Sequence, residues 1–165
     1  MNNPSSLASE NEHPSEILLA DVLPLEHVLL DVELGSRKKL LQQMSNVVSE
    51  TQPELASDTI FKLLIERERL GSTAIGHGIA LPHARVEGLD APVMAVIRLL
   101  HSIDYDSPDE QPVWLAVGLV VPSDANQTHL QLLARLASKF QDDAFLNGVR
   151  EEPSSEQVHQ LFLSI

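Results

Sequence analysis

The sequence predicts an α/β protein folded as a single-domain, three-layer α/β/α sandwich. Three observations carry this prediction. Residues 93–100 and 113–121 are continuous apolar runs rich in β-branched side chains, the pattern of central strands covered on both faces. Several other segments instead repeat apolar residues at helical spacing. The chain has 165 residues, a length that suits one domain and can bury a sizeable core. Strands and helices mixed in this way fit a layered sandwich with a mixed β-sheet but not a regular doubly wound fold. No internal repeat and no second domain can be read from the sequence.

Residues 1–16 are rich in Asn, Ser, Glu and Pro and poor in large apolar groups, so they are expected to form a disordered tail ahead of a domain at 17–165. Residues 17–23 predict a short helix and 28–32 a first strand. Leu40, Leu41, Met44, Val47 and Val48 follow helical spacing, with Ser36 as the N-cap after Gly35. A second helix is expected over 56–69, starting near Ser57 or Asp58 and burying Ile60, Phe61, Leu64 and Ile65. The acidic stretch 104–110 reads as a solvated turn between the two central strands. Pro122 and Ser123 end the second of these. Residues 126–140 predict an amphipathic helix with a buried stripe of Leu130, Leu133, Leu136, Ala137 and Phe140. Pro153, Ser154 and Glu156 announce a last helix over 155–163.

Composition narrows the function. The chain has no cysteine, so disulfides and thiolate metal sites are excluded. No apolar run is long enough to span a bilayer, and the polar, acidic start is unlike a signal peptide, which makes a soluble cytoplasmic protein the expectation. There are 24 acidic against 11 basic residues, a formal net charge of −13. Repulsion from phosphate backbones argues against nucleic-acid binding, whereas an acidic surface suits encounter with a basic protein partner. No P-loop or dinucleotide fingerprint occurs: Gly76-His77-Gly78 lacks the third glycine and the βαβ setting.

The chemistry concentrates in residues 70–85, where three glycines, a proline, two histidines and an arginine surround the apolar run Ile79-Ala80-Leu81. Pro82 biases Leu81 towards an extended backbone, so the chain enters His83 stiffly, and Ala84 leaves little bulk beside the imidazole. Such a histidine can present a ring nitrogen as a nucleophile. Without further context, a histidine beside a proline is more often a loop or edge residue bonded to a backbone carbonyl.

The wording of the segment adds context. Gly76-His77-Gly78-Ile79-Ala80-Leu81-Pro82-His83, preceded by Arg67-Glu68-Arg69-Leu70-Gly71-Ser72-Thr73, resembles the phosphorylation-site segment of the type-2 IIA proteins of the bacterial phosphotransferase system. It is most similar to their nitrogen-regulatory branch, the IIA-Ntr proteins, over about residue 17 to the C-terminus. The resemblance implies a mixed β-sheet between helical layers. It also implies a histidine phosphocarrier that accepts a phosphoryl group from an HPr-like protein on Nε2 of His83, with no metal or organic cofactor.

Two further site residues come from the same resemblance. Taken alone, His129 reads as a surface or capping-turn histidine, although the start of a helix also welcomes an anion. Thr128-His129-Leu130 matches the family's second active-site histidine, which supports transfer without being phosphorylated. Arg67, within Ile65-Glu66-Arg67-Glu68-Arg69, could equally belong to a solvated helix face laced with ion pairs. The family match assigns it to phosphate stabilisation, which suits a planar guanidinium fork. Arg69 and Arg85 are weaker candidates for that task, and Ser72 and Thr73 could donate hydrogen bonds at the rim. His77 departs from any single family pattern and is expected to face solvent. His77, His83 and His129 have no spacing typical of zinc sites, and a metal would occupy the nitrogen that transfer needs. His13, His27, His101 and His159 have no supporting context. Three functions remain: a regulatory phosphocarrier of the nitrogen-related chain, a sugar-transport IIA that passes phosphate to a IIB domain, and a non-phosphorylated anion-binding module. The absence of a fused IIB or membrane segment favours the first, and the pairing of both histidines with the arginine disfavours the last.

Overall fold

A computed structural model describes residues 16–125 and 127–165. The expected tail lies, but for Glu16, outside the described residues, as do His13 and Asn126. The described chain runs α1 (Leu19–Val22), a 3-10 turn (Leu25–His27), β1 (Val28–Val32), α2 (Arg37–Glu50), α3 (Ser57–Arg69), β2 (Ala74–Gly76), β3 (Ile79–Ala80), β4 (His83–Val86), β5 (Val93–Ile103), β6 (Val113–Pro122), α4 (Gln127–Lys139), α5 (Asp143–Glu151) and α6 (Ser155–Leu163).

The sheet is mixed, in the order β1-β5-β6-β3-β2, with β4 also paired to β6. β5 and β6 are antiparallel to each other, β1 is parallel to β5, and β3 and β4 are both parallel to β6. Because side chains alternate along a strand, each central strand feeds two cores. Ala95, Ile97 and Leu99 of β5 pack with Leu41, Met44 and Val48 of α2 and Ile60 and Leu64 of α3. Met94 and Val96 of β5, with Leu115, Val117 and Leu119 of β6, pack instead with Leu132 and Leu136 of α4, Phe145 of α5 and Phe162 of α6. These two cores are the expected three layers. Gly118 of β6 faces Met44 so closely that a Cβ there would lie 2.3 Å from the Met44 sulfur.

Helix ends follow the capping chemistry of the sequence. Ser36 accepts from the Lys39 N–H at 3.2 Å and Ser154 from the Gln157 N–H at 3.3 Å, so each helix start has one of its orphan donors satisfied by a short side chain. Several expectations need correction. Leu130 is 54 % exposed, and Leu132 takes the place assigned to it in the buried stripe of α4. Phe61, Ile65, Leu133 and Ala137 are half-buried rather than buried. β5 runs on to Ile103, and residues 143–151 form a helix that the sequence pattern did not signal.

β1 and β5 slip in register between Leu29 and Val32, where Asp31 takes a φ of 56°. Its carboxylate meets Arg98 of β5 at 3.2 Å. Arg98 is buried, and its Nη1 also donates to the carbonyls of Val149 and Glu152 at the end of α5. One guanidinium thus ties the sheet edge to a helix C-terminus, where a cation is favoured.

Candidate functional site

The glycine-rich segment folds as a hairpin followed by a short strand. His77 and Gly78 both have positive φ, 57° and 77°, as a type I′ two-residue turn requires, and they join β2 to β3. Gly78 is needed for a second reason: a Cβ there would lie 2.3 Å from Cδ1 of Trp114. The indole N–H of Trp114 donates to the His77 carbonyl at 3.1 Å, and the His77 N–H donates to Asp109 at 3.0 Å. After β3 the chain bends at Leu81-Pro82 and resumes beside β6 as β4, with His83 opposite Leu119. The Pro82 carbonyl accepts from the Leu119 N–H at 2.9 Å, so the proline residue is itself anchored to the sheet.

His83 is half-buried. Its Nδ1 donates to the Leu81 carbonyl at 2.6 Å, which leaves the lone pair on Nε2. Burial holds its pKa below the usual histidine value, with the Arg67 charge acting in the same direction. The Leu81 hydrogen bond and the Glu68 carboxylate oppose this but do not reverse it. The imidazole is therefore biased towards its neutral, nucleophilic form.

A cavity of about 580 Å³ opens at His83 between the C-terminal half of α3 and the start of α4. Arg67, His83 and His129 all line it. The structure thus brings together three residues that lie far apart in the sequence. Arg67 lies in the last turn of α3, and its Nη1 donates to the Gly71 carbonyl at 2.8 Å. His129 lies in the first turn of α4, half-buried. Arg85, on the same face of β4 as His83, also lines the cavity, whereas Arg69 does not. Apart from Arg67, His83, Arg85, His129 and Glu66 the lining is apolar, and Leu70 and Leu130 stand exposed at the cavity, Leu70 by 85 %.

The remaining expectations divide. Ser72 and Thr73 do not line the cavity: Ser72 donates to the Tyr105 carbonyl at 2.9 Å, and Thr73 is buried against Glu68. His77 is exposed and borders a separate pocket with Trp114 and Arg150, so it does not join His83 and His129. Among the described residues no group of three or more His, Asp or Glu is placed to hold a metal ion. His27 is buried with its Nδ1 on the Met94 carbonyl at 2.8 Å, His159 bonds the Leu23 carbonyl at 2.8 Å, and His101 is exposed.

Two residues near the site escaped the sequence reading. Glu68 is buried, not on a solvated face, and Tyr105 is buried within what reads as an acidic turn. A signal for Glu68 existed: Ile60, Leu64 and Glu68 recur at every fourth position, so Glu68 extends the buried stripe of α3. Tyr105, a single aromatic among acidic residues, offered no such periodicity.

Residues 21–165 match the family model of the phosphoenolpyruvate-dependent sugar phosphotransferase system, EIIA 2. A nitrogen regulatory protein of Pseudomonas aeruginosa is 37 % identical over 149 residues, which cover 90 % of this chain and 97 % of the relative. The crystal structure of the nitrogen regulatory protein IIA-Ntr from Neisseria meningitidis superposes with a TM-score of 0.83 at 36 % identity, covering 88 % of this chain and 99 % of that one. The crystal structure of IIA mannitol from Escherichia coli, at 17 % identity and a TM-score of 0.68 over 84 % of this chain and 96 % of that one, shares the fold alone. The chain belongs to the EIIA type-2 family of the phosphotransferase system and, within it, to the nitrogen-regulatory IIA branch.

Proposed function

We propose that the protein is a cytoplasmic histidine phosphocarrier that takes a phosphoryl group from an HPr-like protein onto Nε2 of His83 and acts as a regulator in the nitrogen-related phosphotransferase chain. The observation that carries this reading is the shared cavity of His83, His129 and Arg67, with Nδ1 of His83 already committed to the Leu81 carbonyl. In the transfer, the Nε2 lone pair forms a bond to phosphorus as the carrier's N–P bond breaks in line. The electron pair of the broken bond returns to the carrier's imidazole. Little covalent chemistry is asked of the protein, so positioning and charge stabilisation dominate. The guanidinium of Arg67 and the imidazole of His129 hold the phosphoryl oxygens, and the exposed leucines at the cavity meet the carrier.

The regulatory role rests on the kinship with nitrogen regulatory proteins, several of which are above 30 % identical, while a fructose-specific EIIA component of Haloferax volcanii is 24 % identical. A phosphoryl group would add roughly two negative charges at the docking face, enough to abolish one protein contact and permit another. The test is incubation with phosphoenolpyruvate, enzyme I and an HPr-like carrier. An acid-labile, phosphate-sized mass gain that later drains to a IIB protein would favour transport instead. Absence of any gain would favour an anion-binding module.

A further inference from the structure

The residue next to Arg67 faces the core. Oε1 of Glu68 accepts from the Tyr105 phenol at 2.8 Å and from the Thr73 hydroxyl, and Oε2 accepts from the Thr73 backbone N–H at 3.1 Å. Three donors converging on two oxygens is a pattern that a carboxylate, which accepts and does not donate, can satisfy. Arg37, at the start of α2, brings its Nη1 to 3.9 Å from Oε2 of Glu68. The same nitrogen donates to the Tyr105 carbonyl at 3.4 Å, and the guanidinium lies 5.4 Å from the centre of the Tyr105 ring. Burial, and then the Glu68 charge, push the Tyr105 phenol well above its ordinary pKa, so it stays a proton donor.

Residues 72 and 73 are therefore gripped from both sides, Ser72 by Tyr105 and Thr73 by Glu68. The residue immediately before them is Gly71, exposed, with a φ of 147° and no atom within 4 Å of where its Cβ would be. The Gly71 carbonyl is the acceptor that holds Arg67. That grip adds to the end of α3 and to the Leu81 N–H bond on the Thr73 carbonyl at 3.0 Å in setting where the Gly71 carbonyl lies.

We propose that Glu68, held by Tyr105 and Arg37, is a positioning residue for phosphoryl transfer: it clamps the 71–73 strap so that the Gly71 carbonyl keeps the Arg67 guanidinium at the cavity of His83. This assignment rests on the phosphocarrier reading of His83 and Arg67. One of the five guanidinium donors is committed to Gly71, and the others remain to meet phosphoryl oxygens. Glu68 bonds Thr73 and Tyr105 and faces Arg37 rather than Arg67, so it reaches the Arg67 guanidinium through the strap; its charge also acts on His83, and Tyr105→Phe leaves that charge in place.

The experiment is a double-mutant cycle on the rate of phosphoryl transfer from a phosphorylated HPr-like carrier. Wild type, Glu68→Gln, Tyr105→Phe and Arg67→Ala are compared with the doubles Glu68→Gln/Arg67→Ala and Tyr105→Phe/Arg67→Ala. Each strap variant is expected to slow transfer roughly 3- to 30-fold at unchanged carrier KM, because misplacement of a positioning group costs rate rather than binding. In the Arg67→Ala background neither should slow transfer further. A merely structural role would multiply with Arg67→Ala, and that result, or single variants transferring at the wild-type rate, overturns the assignment. Should Glu68→Gln not fold, Tyr105→Phe decides alone, since it keeps the ring and removes one hydroxyl. The Arg67 side-chain Nε–H resonance gives a second readout: it should broaden in Tyr105→Phe, and an unchanged signal counts against the strap. A wild type that takes up no phosphate brings down the phosphocarrier reading itself, a result distinct from a normal wild type with unaffected variants.

Discussion

Leu81 and His83 are joined by a 2.6 Å hydrogen bond from the imidazole Nδ1 to the carbonyl two residues back, across Pro82. The bond selects the tautomer with its lone pair on Nε2 and fixes the plane of the ring. Proline contributes by restricting Leu81 to an extended backbone, which brings its carbonyl within reach of the ring.

The titration of His83 follows from its surroundings. Its NMR titration midpoint should lie below the ordinary value of 6.5, because burial outweighs the Leu81 bond. Replacing Arg67 by Gln removes a positive charge and should raise the midpoint. The sign for stability follows: between the lowered midpoint and 6.5 the unfolded chain binds the proton more tightly. Stability should therefore fall as pH drops through that window and level off below it, and His83→Gln should lack this component. A midpoint at or above 6.5 would contradict the burial argument.

Arg67→Ala and His129→Ala should each slow phosphoryl transfer by about 10- to 1,000-fold, the range for loss of one preorganised donor to a developing anion. Both should leave the thermal midpoint close to wild type, since each residue is half-buried at the cavity rather than in a core. Rapid-quench transfer kinetics give the rate; wild-type rates in either variant would remove that residue from the transfer machinery.

Gly78→Ala should destabilise the fold by about 1–3 kcal/mol, through a clash with Trp114 and a side chain forced to positive φ. Urea denaturation would show the midpoint falling. An unchanged midpoint would mean that the β2–β3 hairpin and Trp114 are less tightly packed than the structure shows.

Arg98→Met should also destabilise, by about 1–3 kcal/mol, because it leaves the carbonyls of Val149 and Glu152 without their buried donor, while the exposed Asp31 carboxylate can turn to water. Hydrogen exchange should quicken first in α5, whose C-terminal end loses its anchor.

What the sequence revealed depended on whether a feature was periodic or lay in one short motif. β1 and α6 were legible to the residue, and α2 closely, because Ser36 and Ser154 cap strongly periodic helices. α5 was not, since Asn147 and Gly148 interrupt it with poor helix formers; its packing through Phe145, Leu146 and Val149 overrides propensity. Leu130 was misread because apolar spacing alone cannot separate a buried face from a leucine facing an open cavity. The candidate site residues were proposed from contiguous wording around His83 and, for Arg67 and His129, from resemblance. The Glu68–Tyr105 contact joins residues 37 positions apart, and a buried carboxylate between two arginines looks in sequence like part of a solvated face.

The most direct measurement of the central claim is intact-mass analysis after incubation with phosphoenolpyruvate, enzyme I and an HPr-like carrier, comparing wild type with His83→Ala. One acid-labile phosphoryl group is predicted on the wild type and none on His83→Ala. Equal labelling of both would place the acceptor elsewhere, and no labelling of wild type beside a control IIA that is labelled would contradict the phosphocarrier account altogether.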